Sequence, residues 1–316
     1  MMQYEVLGRT GLKVSQLCFG VLPMGPLQAN LPVEAGGTLI LEGLKRGINF
    51  IDTAEMYQTY PHIKWATSRF PGEVIIASKS TAATFQEMKE SVERCLNQLG
   101  RDRIDIFHIH AARDNNPLIN RAGALEALLE MKQEGKILAT GVASHSVTGI
   151  EKAAVDPGID IIFPLINQTG LGILDGGVPE MIAAISKAKQ NNKGVYAMKA
   201  LGGGNLLDEI PAKFEFVRNN AEVPVIAVGM LRQVELEMNL ALFEGRPISA
   251  GIWNEARKYS KKAKVTFLCK GCGRCLEFCH NGAVQIINGK AFIDEQKCLL
   301  CGYCSNECPQ FAIRVI

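Results

Sequence analysis

GINFIDTAEMY, residues 47–57, contains the unit from which the rest of the fold can be read. Gly47 punctuates its start. A short apolar, β-branched run over Ile48–Thr53 follows, and Asp52 and Tyr57 stand towards its C-terminal end. Apolar runs of this length read as buried strands. Working outward, seven more occur: Leu17–Gly20, Val74–Lys79, Ile104–His110, Ile137–Ala143, Ile159–Asn167, Val195–Ala200 and Val223–Gly229. Segments of helical period lie between them. In Glu87–Leu99, for example, Met88, Val92, Cys95 and Leu99 fall on one face. Gly100, Gly135, Pro157, Gly194 and Pro224 mark further junctions. Eight strands, each followed by a helix, is the count for a (β/α)8 TIM barrel of about 250 residues. The expectation is therefore an α/β chain whose residues 1–250 form that barrel. An open doubly wound sheet ranks second, because its Gly-x-Gly-x-x-Gly fingerprint is absent after the first strand. Tyr4–Leu7 and Leu12–Ser15 flank Gly8-Arg9-Thr10-Gly11 and predict a hairpin plugging one end of the barrel.

Composition narrows the partners. The 316 residues are 47% hydrophobic and 21% charged, which is ordinary globular usage. Lys+Arg 34 against Asp+Glu 32 leaves +2, so neither nucleic acid nor an anionic membrane is expected as the main partner. No apolar run reaches the roughly 18 residues of a spanning helix. MMQYEVLGRTGLKVS lacks the basic and then apolar segments of a signal peptide, so a cytoplasmic protein is expected.

The cysteines divide the chain. Of ten, eight lie between Cys269 and Cys308; Cys18 and Cys95 stand apart. In a reducing compartment such density points to metal or redox chemistry before disulfides. Cys269-x2-Cys272-x2-Cys275-x3-Cys279 is repeated at an offset of 29 residues by Cys298-x2-Cys301-x2-Cys304-x3-Cys308-Pro309. CKGCGRCLEFCHNGAVQII lies over CLLCGYCSNECPQFAIRVI, so each set ends in a short β-like run. The duplicated segment resembles a bacterial two-cluster ferredoxin over residues 265–316, a small α+β iron–sulfur domain. In that pattern three thiolates wrap one cluster and the fourth reaches the other. The expected sets are Cys269, Cys272, Cys275 and Cys308 for one [4Fe–4S] cluster, and Cys298, Cys301, Cys304 and Cys279 for its neighbour. Two zinc sites are the competing reading, but zinc usually takes Cys pairs separated by longer loops. His280 departs from the pattern by standing where a proline is expected. About fifty residues bury too little surface to fold alone, so the clusters are expected to hold this domain together. Pro247–Lys264 has helical composition and predicts a helical linker over 251–264. Its basic run, Lys261, Lys262 and Lys264, reads as a solvated helix end.

Active sites of such barrels sit at the C-terminal ends of the strands. The polar residues there are Asp52 and Tyr57, Lys79, and the same-face pair His108 and His110. LGRTGLKVSQLCFG, GINFIDTAEMY, IIASKS and DIFHIH, in that order, resemble the aldo-keto reductase family over about residues 3–245. The resemblance implies a nicotinamide-dependent oxidoreductase. Its catalytic tetrad falls on Asp52, Tyr57, Lys79 and His110. Hydride attacks a carbonyl carbon of a small substrate and Tyr57, as general acid, protonates the oxygen. Lys79 is expected to lower the phenol's pKa, Asp52 to hold Lys79 charged, and His110 to orient the carbonyl. His108 reads as core packing; His62 and His145 carry no separate signal.

The same resemblance implies where NAD(P)H is held. A Ser-Asn pair becomes Ala143-Ser144 here, with Ser144 still able to bond the carboxamide. Gln168 closes an intact Pro164-Leu-Ile-Asn167-Gln168 run. Met198 stands where an aromatic ring stacks on the nicotinamide. Gly202, Gly203 and Gly204 let backbone approach the pyrophosphate. The phosphate-gripping segment VGMLRQVELEMN offers Gly229, Arg232, Glu235 and Asn239. Glu235 in place of an arginine predicts that NADH is at least tolerated. The cluster domain, or the 246–268 linker, is expected to form part of the pocket wall.

Electron counting leaves the coupling open. Hydride carries two electrons, whereas each cluster moves one. The clusters then serve a redox partner protein or a flavin, or they are structural or sensing. A reading of a different class also stands: an electron-transfer or redox-sensing iron–sulfur protein whose barrel is a scaffold with little or no reductase activity.

Overall fold

A computed structural model describes residues 1–111, 113–258 and 261–315. Strands β1 (Tyr4–Val6) and β2 (Lys13–Ser15) form the expected hairpin. Leu7 and Val14 sit fully buried among the inward-facing side chains of the barrel. Arg9 donates to Asp160 and to the Ile159 carbonyl at the start of a barrel strand, so the plug closes the N-terminal end. The opposite end is left for chemistry.

Eight parallel strands run round the barrel: β3 (Leu17–Gly20), β4 (Phe50–Asp52), β5 (Ile75–Ser80), β6 (Ile104–His110), β7 (Ile137–Ser144), β8 (Ile161–Pro164), β9 (Gly194–Val195) and β10 (Ile226–Gly229). β10 pairs with β3, and the bridge Ala197↔Ile226 closes the ring. The seventh barrel strand is shorter than the expected Val195–Ala200. Beyond Val195 only isolated bridges persist, and Lys199 takes a left-handed backbone with φ +63° that turns the chain out of the ladder. Helices pack outside. The helix Phe85–Leu99 buries Met88, Val92, Cys95 and Leu99 as its period predicts, opens on a Thr84–Glu87 capping box and closes on Gly100.

Among the described residues, the linker is helical over Ala250–Arg257. Strand β11 (Ala263–Val265) already belongs to the small domain, pairing with β14 (Ile313–Val315), while β12 (Val284–Ile287) pairs with β13 (Lys290–Ile293). Ala263 and Val265 pack on the small core and Lys264 faces out, a period of two rather than of a helix. That core is thin and includes Cys275 and Cys308. The small domain caps the C-terminal mouth of the barrel through its 298–303 loop. Asn205 Nδ2 donates to the Cys298 carbonyl at 2.8 Å, and Gln28 Nε2 to the Leu300 carbonyl at 3.1 Å. Gly203 lies against Leu299 and Gly302 against Leu27, each so closely that a Cβ would overlap the facing carbonyl.

Candidate active site at the capped barrel mouth

Asp52 ends β4 and Lys79 lies in the neighbouring β5, so their side chains meet inside the mouth. Lys79 Nζ donates to Asp52 Oδ1 at 2.9 Å, to Oδ2 at 2.8 Å and to the Thr53 carbonyl at 2.6 Å. The ion pair is buried, and burial raises the Asp52 pKa while Lys79 opposes that rise. Tyr196 donates from its hydroxyl to Asp52 Oδ1 at 3.0 Å and meets His108 Nε2 at 2.8 Å. His108 is therefore more than packing: through Tyr196 it fixes the carboxylate. Tyr196 follows β9 and has no polar neighbour in sequence to mark it.

Tyr57 closes the short 3-10 turn Glu55–Tyr57 and is buried. The Lys79 ammonium lies 5.1 Å from its ring centroid, while its hydrogens serve Asp52 and Thr53. The expected acidic phenol is not what results. Burial pushes the Tyr57 pKa well up, and the Tyr303 phenol and Asp52 add to the rise. Tyr57 is thus held protonated. His110 meets the Tyr57 ring edge-on at 6.1 Å and the Tyr303 ring at 6.5 Å. Burial first, then the Lys79 charge, holds His110 well below its ordinary range and so neutral.

A groove leads from Asp52 and Tyr57 across the mouth. Met198, Gly203, Gly229, Glu235 and Asn239, five of the residues proposed from sequence to hold the dinucleotide, line it. Asn239 donates to the Glu235 carbonyl, and its buried Oδ1 has no partner. Four other expected contacts lie elsewhere. Ser144 is turned inward, its hydroxyl donating to the Ala111 carbonyl and accepting from the Ser146 N–H. Gln168 is exposed and accepts from Lys213. The Gly202 carbonyl accepts from Asn205, tying a tight turn. Arg232 binds Glu235 Oε1 at 2.8 Å and the Glu255 and Ala256 carbonyls. Glu235 is not a bare carboxylate, since it also accepts the Leu231 and Arg232 N–H groups as a helix cap. Lys261, read from sequence as solvated, instead lines this groove and donates to Gln28 Oε1 at 2.6 Å. Burial pushes its pKa down to about 8, with Glu235 opposing.

The cysteines gather in the crossed sets. Cys269, Cys272, Cys275 and Cys308 line one cavity; Cys279, Cys298, Cys301 and Cys304 line another. Burial raises Cys275, and its three set-mates add to it. Burial raises Cys304, followed by Cys301, Cys279 and Cys298. Backbone N–H groups of Ala291, Ala283 and Ala312 point at the sulfurs of Cys269, Cys279 and Cys308 at 3.3, 3.1 and 3.3 Å. Crowded thiols with N–H groups aimed at sulfur suit clusters bound as thiolates. The second set opens towards the barrel mouth, since Tyr57, His110, Met198 and Tyr303 line the same cavity. Lys199 lines both this cavity and the groove; burial lowers its pKa while Cys301, Cys298 and Asp52 oppose.

The sequence reading missed Tyr303, His280, Asn281, His145, Lys199 and Lys261 as parts of the mouth. Only His280 carried a signal, by breaking the duplicated pattern.

Comparisons with known proteins place both parts of the chain in families. The Aldo/keto reductase family model matches residues 17–262, and the 4Fe-4S dicluster domain model matches residues 268–312. The chain is 23% identical over 281 residues to an L-galactose dehydrogenase of Arabidopsis thaliana, covering 76% of this chain and 87% of that protein. It is 24% identical over 327 residues to an L-glyceraldehyde 3-phosphate reductase of Escherichia coli O157:H7, covering 93% and 90%. A Pseudomonas aeruginosa protein assigned to the aldo-keto reductases superposes with TM-score 0.65 at 26% identity, over 77% of this chain and 94% of that one. The holo form of an aldo-keto reductase from Bacillus halodurans gives TM-score 0.65 at 20% identity, over 82% and 97%, and shares the fold. The chain belongs to the aldo/keto reductase family and is an oxidoreductase that carries a 4Fe-4S dicluster domain on the mouth of its barrel.

Proposed function

We propose that the protein reduces a carbonyl compound with hydride from NAD(P)H held in the groove, with Tyr57 as general acid, beside two [4Fe–4S] clusters on the crossed cysteine sets. The observation that carries this reading is the buried Asp52–Lys79 pair beneath Tyr57, where groove and second cavity meet.

The dinucleotide supplies the hydride; the chain's own residues manage the proton and the charge. Tyr57 holds its proton through the resting state because burial disfavours the phenolate. As the carbonyl oxygen gains charge, that proton is the one to hand. The phenolate left behind faces the Lys79 ammonium through space. Asp52 keeps this ammonium in place, and Tyr196 and His108 keep Asp52 in place. Neutral His110 donates its ring N–H to the carbonyl oxygen without adding a second cation. Asn239, with its unpaired Oδ1, offers an acceptor to an amino or hydroxyl group of the dinucleotide. Lys261 and the Arg232-compensated Glu235 weigh little against a 2′-phosphate, so NADH and NADPH are both accepted. The names of the relatives, an L-galactose dehydrogenase and an L-glyceraldehyde 3-phosphate reductase, favour a hydroxylated carbonyl compound.

Tyr57→Phe is expected to lower carbonyl-dependent nicotinamide oxidation by about 10²–10⁴ while the brown colour of the clusters persists. Full activity in that variant would remove Tyr57 from the mechanism.

A further inference from the structure

We propose that Lys199 is an anion anchor shared by two sites: its ammonium attracts the phosphates of the dinucleotide on one side and the charge of the second cluster on the other, and so raises the reduction potential of that cluster alone. This rests on the dinucleotide and cluster readings above and deepens them.

Lys199 stands in the wall between the groove and the second cavity. It and its neighbour Met198 line both. Among the described residues that line the second cavity, it is the one lysine or arginine. Its backbone is unusual. A φ of +63° is left-handed, which is uncommon for a residue with a side chain, and the Lys199 carbonyl accepts the Gly202 N–H at 2.7 Å. A glycine would take the same turn without strain, so the turn does not account for a lysine. Strained backbones of this kind gather at functional sites.

The ammonium has no carboxylate of its own. Among the described residues, no ion pair or side-chain hydrogen bond engages it. Asp52 is close enough to attract it, but that carboxylate is taken by Lys79, which repels it. The other attracting charges are Cys301 and Cys298 as thiolates. A partly buried cation left unpaired is costly, and an anion on either side of the wall relieves that cost. The duplicated half supplies the contrast. Arg274 lines the first cavity, but Glu307 pairs with it at 3.2 Å. A cluster gains one negative charge on reduction, so an unpaired cation beside it favours the reduced form. Only the second cluster, the one beside Tyr57, has such a cation in its wall.

The test uses the holoprotein, purified without oxygen. A redox titration followed by EPR reads the two clusters, and a fluorescence titration reads NADPH. Lys199→Gln is expected to lower the reduction equilibrium of one cluster about tenfold, which is about 59 mV for one electron, and to leave the other in place. NADPH should bind about tenfold more weakly. Lys199→Arg keeps the charge on the same strained backbone and should restore both readouts. In the wild type, saturating ADP-ribose brings the pyrophosphate without the nicotinamide, and should lower the potential of the same cluster. The proposal is overturned if neither potential moves, if both move equally, or if Lys199→Gln changes only one of cluster potential and NADPH affinity. It is equally overturned if Lys199→Arg behaves like Lys199→Gln. Bound ADP-ribose that leaves both potentials unchanged also sinks it, and this arm stands even where the variants fail to fold. Failure of the underlying readings is a separate result: iron and sulfide short of two clusters, or no NADPH binding by the wild type.

Discussion

Lys261 shows how much one residue's meaning depends on where the chain returns. It lies among lysines that look like a solvated helix end, yet its ammonium lines the groove at the barrel mouth against Gln28, across 233 positions of sequence. Its pKa, lowered by burial to about 8, gives the sign of a pH effect. Below that value the ammonium is charged and attracts the phosphates of a dinucleotide. As pH rises through about 8 the proton is lost and the attraction with it. Dinucleotide affinity, measured by fluorescence titration, should therefore fall between about pH 7 and 9. Lys261→Met should bind more weakly at pH 7 and show a flatter profile; an unchanged profile would take Lys261 out of the binding site. Asp52, Tyr57, Lys79 and His110 were legible from sequence because each follows or occupies a strand whose period is plain. Tyr196, Lys199 and Lys261 were not, because their roles come from contacts no local pattern encodes. The state of Tyr57 was misread for a related reason: the charge beside it was visible, but the Tyr303 cap that buries it comes from the other domain.

At the scale of elements, the 298–303 loop is the joint on which the mouth depends. The duplicated sequence supplies an internal control. Gly273 and Gly302 occupy equivalent positions, both with left-handed backbones of φ +79° and +84°, each opening a short helix. Substitution by alanine strains both backbones alike, by about 1–2 kcal/mol. Their surroundings differ. A Cβ at Gly273 meets nothing nearer than Leu276 at 3.8 Å, whereas one at Gly302 would overlap the Leu27 carbonyl on the barrel. Gly302→Ala should unseat the loop, raise KM for the carbonyl substrate and expose it to limited proteolysis. Gly273→Ala should do none of these beyond its backbone strain. Equal behaviour of the two variants would mean the loop is not clamped by the barrel. The strands were legible where their pairing is regular. They were overread where the backbone of Lys199 leaves the ladder, and underread at Ala263–Val265, where three residues are too few to show a period against a helical background.

For the whole molecule, the decisive asymmetry is between a barrel with its own large core and a small domain whose thin core includes Cys275 and Cys308. Binding energy for clusters is folding energy for such a domain. Chelation of the iron under anaerobic conditions should therefore unfold the small domain and leave the barrel standing. Far-UV circular dichroism should lose little, since the small domain contributes one short hairpin, one short antiparallel strand pair and two single-turn helices. Tyr303, His280 and Asn281 leave the mouth together, so turnover of the carbonyl substrate should drop at least about tenfold through KM. Dinucleotide binding should weaken less, because the groove is mostly barrel and loses chiefly the Leu300 carbonyl that orients Gln28. This ordering separates two roles for the clusters. Were they only carriers of electrons to an outside partner, their removal would leave nicotinamide-driven carbonyl reduction intact. Because the cysteine set of the second cluster lines the same cavity as Tyr57 and His110, loss of iron is expected to strike the reductase itself, before any question of electron traffic arises.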